Sequence, residues 1–371
     1  MGQTENVTEN VTDTLRTPTT SAEVARQAGV SRTTVSFVLN GVENRGISES
    51  TRQRVLAVAE QMGYAPNAAA RQLAGGSSGT VGLVIPQAAH LYTDVFLSQM
   101  VASVNDACHR EGLKLLIEST EGEGREPGGF IGLVKARRID GLLIVSPRRD
   151  VYDHLHRIVE AGIPLVVLGR APRGLEHIQA LPTQNNRATA DLLDHLQRLG
   201  HRRIGHVAFA PPEILASHER IGSWREALEA EGTTPDPAWL THADISAASG
   251  LLATRALLAQ QLSLPAERRI TALFAGNDTI AFGAMRALAE AGLRVPQDIA
   301  VVGYDDIPLA AYASPPLTTV RTHPIEQGRE AVTSLMAQLR KVPRPPFGPD
   351  LTEPELVVRA SCGAGTLTPR V

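Results

Sequence analysis

The chain has 371 residues, 43% of them hydrophobic and 20% charged. That balance excludes full-length disorder and a single small module, and leaves room for two or three domains whose cores, with aromatics at only 4%, must be aliphatic. The two cysteines, Cys108 and Cys362, are too far apart for a disulfide framework or a CxxC knuckle, and no apolar run approaches the ~18 residues of a membrane span.

Residues 1–18 are polar and acidic, carry the repeat ENVTENVT and show no periodicity, so they read as a disordered leader. They lack the basic and apolar regions of a signal peptide, which points to a cytoplasmic protein. The next stretch, 16–76, carries seven arginines against four glutamates, a local +3 within an overall −3. A basic segment ahead of an acidic body suggests a nucleic-acid surface.

Three short helical patterns follow between Thr19 and Met62. The first, about 21–28, starts after Thr20, a good N-cap, and stops at Gly29. Ser31 can cap a second, running to about Leu39. Two short helices joined by a tight glycine turn match a helix-turn-helix. In the second helix Val35, Val38 and Leu39 form one stripe facing Val24, Ala25 and Ala28. The opposite stripe carries Arg32, Thr33, Ser36 and Phe37, a face suited to the major groove, where Arg reads guanine and an exposed Phe meets thymine methyls. The alternative is that Phe37 is core and Arg32 a solvated charge. A further short pattern, AAARQLA, opens after Pro66-Asn67 and ends in Gly75-Gly76-Ser77-Ser78-Gly79, the best domain boundary in the chain.

The run from Thr20 to Gly41, with Val24-Ala25, Ala28-Gly-Val-Ser31, Thr34-Val-Ser36 and Val38-Leu-Asn-Gly41, closely resembles the LacI/GalR family of bacterial transcriptional regulators. The resemblance continues through Ser48-Glu-Ser-Thr-Arg-Gln-Arg-Val55, Gly63-Tyr-Ala-Pro-Asn67 and Ala70-Arg-Gln-Leu73, and on to Ser361. It implies an all-α helix-turn-helix head over 19–65, a hinge helix and linker over 66–78, a two-lobed effector-binding and dimerisation domain over 79–361, and a tail over 362–371. It also implies a DNA-contacting set of Thr20, Ser31, Arg32, Thr33, Thr34, Ser36, Phe37 and Asn40 in the head, with Asn67, Ala70 and Leu73 in the hinge. Leu73 stands where the family has an intercalating leucine; the plainer alternative is helix packing. Position 37 departs from the pattern, holding Phe where many relatives carry Arg, and the loop Val42–Ile47 is longer than in the family's shortest versions.

Beyond Gly79 the texture changes to short, unbroken aliphatic runs at 81–86, 113–119, 141–147, 164–169, 203–210, 271–276, 299–304 and 355–361. Such runs suit parallel strands covered on both faces. Helical patterns lie between them, for example at 97–111, 151–161, 187–199, 220–231 and 279–291. The alternation predicts an α/β body of two doubly wound parallel-sheet lobes, of the periplasmic-binding-protein type that the resemblance implies.

Ligands of open α/β sheets bind beyond the carboxyl ends of strands. There the sequence places Arg148-Arg149, Arg170, Asn277-Asp278 and Asp305-Asp306. This collar of guanidinium, amide and carboxylate suits a polyhydroxylated or purine-like ligand. With the family pattern it gives Phe96, Arg148, Arg220, Trp224, Asn277 and Asp305 as candidate effector contacts, with Trp224 either stacking on ligand or packing helix on sheet. Asp278 and Asp306 read as caps or lobe-closing contacts.

The rival reading is a sugar or nucleoside hydrolase behind a DNA-binding head. Its best support is the Asp-rich strand ends, which could polarise a water or hold a cation; its other support fails, since Gly75–Gly79 fits G-x-S-x-G but follows no strand, and no Walker motif, well-placed G-x-G-x-x-G or HExxH is present. His154 and His156 read as surface residues of a helix, not metal ligands. The sequence therefore predicts a transcriptional regulator, a repressor in type, with no cofactor, no metal and no catalytic residue. Its expected partners are a double-stranded operator bound as a homodimer and a small-molecule effector such as a sugar, with no membrane.

Overall fold

The computed structural model describes residues 19–39, 42, 45–64, 77–121, 128–171, 174–175, 178–181, 185–209, 214–344, 351 and 354–364. The chain divides into two units between Ser78 and Gly79.

In the first unit, α1 (Ser21–Ala28) is opened by a capping box: the Glu23 amide donates to the Thr20 hydroxyl, and the Thr20 amide donates to the Glu23 carboxylate at 2.7 Å. Gly29 closes it at φ 66°, a left-handed conformation that costs glycine nothing. Ser31 starts α2 (Arg32–Leu39) by accepting from the Thr34 amide at 3.1 Å, and Ser48 caps α3 (Glu49–Gln61). The three helices bury Val24, Ala25, Ala28, Val35, Val38, Val55 and Ala59 as one small aliphatic cluster.

The second unit holds two parallel sheets. In the first lobe, β1 (Thr80–Gln87), β2 (Lys114–Glu121), β3 (Gly141–Val145), β4 (Leu165–Leu168) and β5 (Gln179–Leu181) lie in the order β2-β1-β3-β4-β5. The second lobe has β6 (Ile204–Phe209), β7 (Leu240–Ala243), β8 (Ala272–Ala275) and β9 (Ala300–Val302) in the order β7-β6-β8-β9. A short antiparallel pair, β10 (Thr319–Arg321) with β11 (Glu355–Val357), joins the second sheet through bridges such as Val302 to Thr318. In both sheets the first strand sits between the second and third, so the strand order reverses beside it. That reversal opens a crevice at the carboxyl ends.

The helices of this unit are α4 (Val95–Arg110), α5 (Ile131–Lys135), α6 (Tyr152–Glu160), α7 (Asn185–Arg198), α8 (Leu215–Ala230), α9 (Ala247–Leu262), α10 (Asp278–Glu290) and α11 (Pro324–Leu339). The chain enters the second lobe after β5, returns to the first through α11, and goes back to supply β11. Ala331, Val332 and Leu335 of α11 accordingly pack with Val81, Leu83 and Met100. Each strand expected from an aliphatic run is present; β1 and β2 run one or two residues past the expected end, and the others are shorter than their runs. Not singled out in the sequence were β5, β7 and β10, which are too short or too polar to stand out, and α5, α9 and α11. Helix α9 is apolar nearly all round, so it has no stripe to read. It packs so closely on α10 that a Cβ at Gly250 would meet the Ile280 carbonyl at 2.6 Å.

Candidate functional site

In the first unit the side of α2 opposite Val35 and Val38 presents Arg32, Thr33 and Ser36 as exposed residues. Phe37 is half-buried beside them, and the Arg45 guanidinium lies 5.2 Å from its ring centroid. Phe37 therefore sits at the border between the core and the exposed stripe. Thr20 and Ser31 spend their hydroxyls on the helix starts, and the Thr34 hydroxyl lies 2.9 Å from that of Ser31. Asn40, Asn67, Ala70 and Leu73 lie outside the described residues.

In the second unit a cleft opens at the carboxyl ends of the strands of both lobes. Its lining includes His90 and Asp94 after β1, Ser146 after β3, Gly169 after β4, Phe209 at the end of β6, Asn277 after β8 and Asp305 after β9. Ser146, Asp305 and Asp306 hold positive φ angles of 43°, 111° and 52°. For residues with a side chain this is a sparsely populated conformation of the kind concentrated at ligand sites.

Arg220, one turn into α8, organises the second-lobe wall. Its guanidinium carbon lies 3.6 Å from the Tyr304 ring centroid and 4.6 Å from that of Phe209. One nitrogen donates to the Gly276 carbonyl and another lies 4.0 Å from the Asp305 carboxylate. Its Nε is buried without a hydrogen-bond partner. An orphaned donor at the wall of a cleft costs free energy until a ligand accepts from it.

The carboxylates around it are costly as well. Burial pushes Asp305 well above the usual carboxylate range, against the pull of Arg220, and pushes Asp94 up to about 6 despite amide hydrogen bonds at the start of α4. Burial also lowers the His90 pKa, against the pull of Asp244, and so favours its neutral imidazole. Asn277 caps α10, its carbonyl oxygen accepting from the Ile280 amide at 2.7 Å, and so is fixed at the cleft by the helix it starts.

The chain carries two family matches: the bacterial regulatory proteins of the lacI family over residues 20–67 and a periplasmic binding protein-like domain over 193–362. The HTH-type transcriptional repressor PurR of Vibrio cholerae is 32% identical over 327 residues, 86% of this chain and 91% of that protein. PurR of Vibrio campbellii is 32% identical over 349 residues, 92% and 97% of the two chains. The chain belongs to the lacI family of bacterial regulatory proteins. Among solved lacI-family structures, a lac repressor dimer bound to operator and the anti-inducer ONPF aligns with a TM-score of 0.78 at 29% identity, over 93% of this chain and 99% of that one. A CelR–cellobiose complex aligns at 0.66 and 32%, over 92% and 99%. This lacI-family chain is thus a DNA-binding transcriptional repressor under effector control. The hydrolase alternative finds no support among its relatives, which are regulators and not enzymes.

Of the six residues expected to meet the effector, Phe96, Arg220, Asn277 and Asp305 line the cleft. Trp224 does not. Helix α8 runs away from the cleft, so one turn carries Trp224 about 5 Å deeper, where its indole donates to the carbonyl of Ile204 at the far end of β6 and is 1% exposed. Arg148 is also absent from the lining, because the chain turns at Ser146 and the Arg148 backbone bridges to Ile214. Asp278 accepts from the Ile307 amide and the Thr319 hydroxyl, and Asp306 ion-pairs with Arg321 and Arg359; neither lines the cleft. His90 and Asp94 were not anticipated. The strand-end rule that found Asn277 applies equally after β1 and is the signal that could have found them.

Among the described residues no three His, Cys, Asp or Glu side chains are grouped to hold a metal, and no helix is long and apolar enough to cross a membrane. His154 is half-buried, with its imidazole against Gly128, and not the surface residue expected.

Proposed function

We propose that two copies of this chain bind a near-palindromic operator, each laying α2 in a major groove so that Arg32, Thr33, Ser36 and Phe37 meet base edges. Two-fold symmetry doubles the contacts of a module whose core, among the described residues, is seven buried side chains. A small molecule of the sugar class, bound between the lobes, shifts their closure and with it the operator affinity. The observation that carries this reading is the Arg220 guanidinium, clamped between two rings at the cleft wall with one donor unsatisfied. The hinge assignment rests on the family pattern: Asn67 and Ala70 contact the DNA, and Leu73 of each copy presses into one base step at the operator centre. The bend that follows offsets the cost of unstacking.

The test is selection of operator sequences from a random duplex pool with the full chain, followed by gel shifts with and without sugars. The expected result is a two-fold symmetric consensus with a flexible pyrimidine–purine step at its centre. One sugar should change affinity by roughly 5–150-fold, the usual span of allosteric coupling. Leu73→Ala should lose specific affinity for the consensus together with the bend, while salt-sensitive non-specific binding survives. A pool that yields no consensus, or a consensus without two-fold symmetry, sinks the reading.

A further inference from the structure

The turn after β1 brings into the cleft two side chains that neither the family signature nor the strand-end pattern marked. His90 and Asp94 are 6% and 9% exposed, and both line the cleft. Asp94 is fixed to the first lobe, because its carboxylate caps α4 by accepting from the Leu97 amide. It also lies within electrostatic reach of Arg220 and Asp305 on the second lobe. His90 Nδ1 is buried with no hydrogen-bond partner, so this wall too carries an unsatisfied polar atom.

Acid groups outnumber cations: among the described residues the cleft lining holds two carboxyl groups, Asp94 and Asp305, and one guanidinium, Arg220. That guanidinium is already shared among the Asp305 carboxylate, the Gly276 carbonyl and the rings of Tyr304 and Phe209. An incoming phosphate or carboxylate would find no unclaimed cation and would face Asp94 in a low-dielectric site, where like charges repel strongly. Hydroxyl or ammonium donors would instead satisfy one carboxylate from each lobe, and charge-assisted bonds of that kind are the strong ones. Phe96, also in the lining, offers an apolar ring against which a sugar's C–H face packs.

We propose that the cleft selects a donor-rich ring without an acid group, a neutral or amino sugar gripped by carboxyl groups of opposite lobes, and that Asp94 is the residue that rejects phosphorylated and carboxylated sugars. His90 contributes a neutral nitrogen to one ring hydroxyl. The assignment rests on the cleft being the effector site.

The experiment is calorimetry on the full chain at neutral pH with matched probes: glucose, galactose, ribose, cellobiose and glucosamine against glucose 6-phosphate, ribose 5-phosphate, glucuronate and galacturonate. At least one neutral or amino member should bind tenfold or more tighter than its acidic counterpart. Asp94→Asn, which keeps a side chain able to cap α4, should shrink that ratio at least fivefold. His90→Ala should weaken the sugar several-fold, and His90→Asn should restore part of the loss. An acid that binds the parent as tightly as its neutral partner overturns the selection rule while leaving the cleft as effector site. The same holds if Asp94→Asn leaves the ratio unchanged. If no probe binds, or if neither Asp94→Asn nor Asp305→Asn alters the binding of one that does, the effector reading of the cleft falls with it.

Discussion

The two units solve different problems with their polar side chains. In the head, the candidate reading residues Arg32, Thr33 and Ser36 are exposed, and the core beneath them is aliphatic and built without them. In the body, the candidate ligand residues are buried: Arg220, Asn277, Asp305 and Asp94 are all less than a tenth exposed. Two of these four, Asp94 and Asn277, also cap helices. The difference means that function and stability are separable in the head and coupled in the body. A face that meets DNA can be rewritten at little cost to the fold. A cleft that recognises a small ligand by buried polar groups cannot, because each of them depends on its neighbours before any ligand arrives.

The strongest way to test that contrast is Arg220→Ala. It removes the guanidinium between Tyr304 and Phe209 and leaves Asp305 and Asp94 facing each other in a buried site with no cation. Breaking a buried pair from one side costs roughly 3–5 kcal/mol. Urea denaturation of the variant should show a loss in that range together with loss of the effector response. A variant as stable as the parent would mean that the cleft charges are solvated and that body and head do not differ in this respect.

A smaller effect comes from pH. His206 in β6 is fully buried, stacked on Phe274 with centroids 4.4 Å apart, and its Nδ1 donates to the Phe274 carbonyl at 2.9 Å. Burial pushes its pKa down from 6.5 to about 3. The folded body therefore refuses a proton that the unfolded chain takes up below about pH 6.5. Stability from this group is complete above that pH and is lost as pH falls toward 3, by about 2 kcal/mol at about pH 5. Asp278 acts in the opposite sense. Burial pushes it from 3.8 up to about 7, so the folded state keeps a proton that the unfolded chain releases, and stability declines as pH rises from 4 to 7. Comparing urea midpoints of His206→Phe and the parent across that range isolates the first trend. The variant should gain on the parent steadily below about pH 6.5. A constant offset between the two curves would show that His206 is protonated freely in the fold.

The same contrast explains what could be read from sequence. The strands of the body were legible because burial on both faces leaves unbroken aliphatic runs such as GLLIVSP, and the first two helices of the head were legible because Thr20 and Ser31 announce their starts. Asn277 and Asp305 were legible because strand ends face the crevice. Trp224, left open between stacking on ligand and packing, shows that spacing along a helix gives a face but not a depth. Arg220 and Trp224, four residues apart, share a face of α8, yet one reaches the cleft and the other the opposite edge of the sheet. His90 and Asp94 escaped notice because the turn that carries them has no periodicity, and their burial comes from the fold as a whole.

At the small end of the stability scale stands Arg32→Ala. Arg32 is exposed on α2 and belongs to no core cluster, so its removal should move the thermal midpoint by no more than the roughly 0.5 kcal/mol typical of surface sites. Binding should behave quite differently. If Arg32 makes a bidentate contact to guanine, losing it costs about 1–3 kcal/mol at one operator position and relaxes the preference there while the rest of the consensus stands. If it touches only phosphate, affinity falls equally on every sequence and the salt dependence flattens by about one ion. Fluorescence anisotropy on single-substituted operators at two salt concentrations tells these apart. A marked loss of stability in this variant would refute the separation of fold and function in the head more directly than any binding result, because it would mean that the reading face helps hold α2 in place.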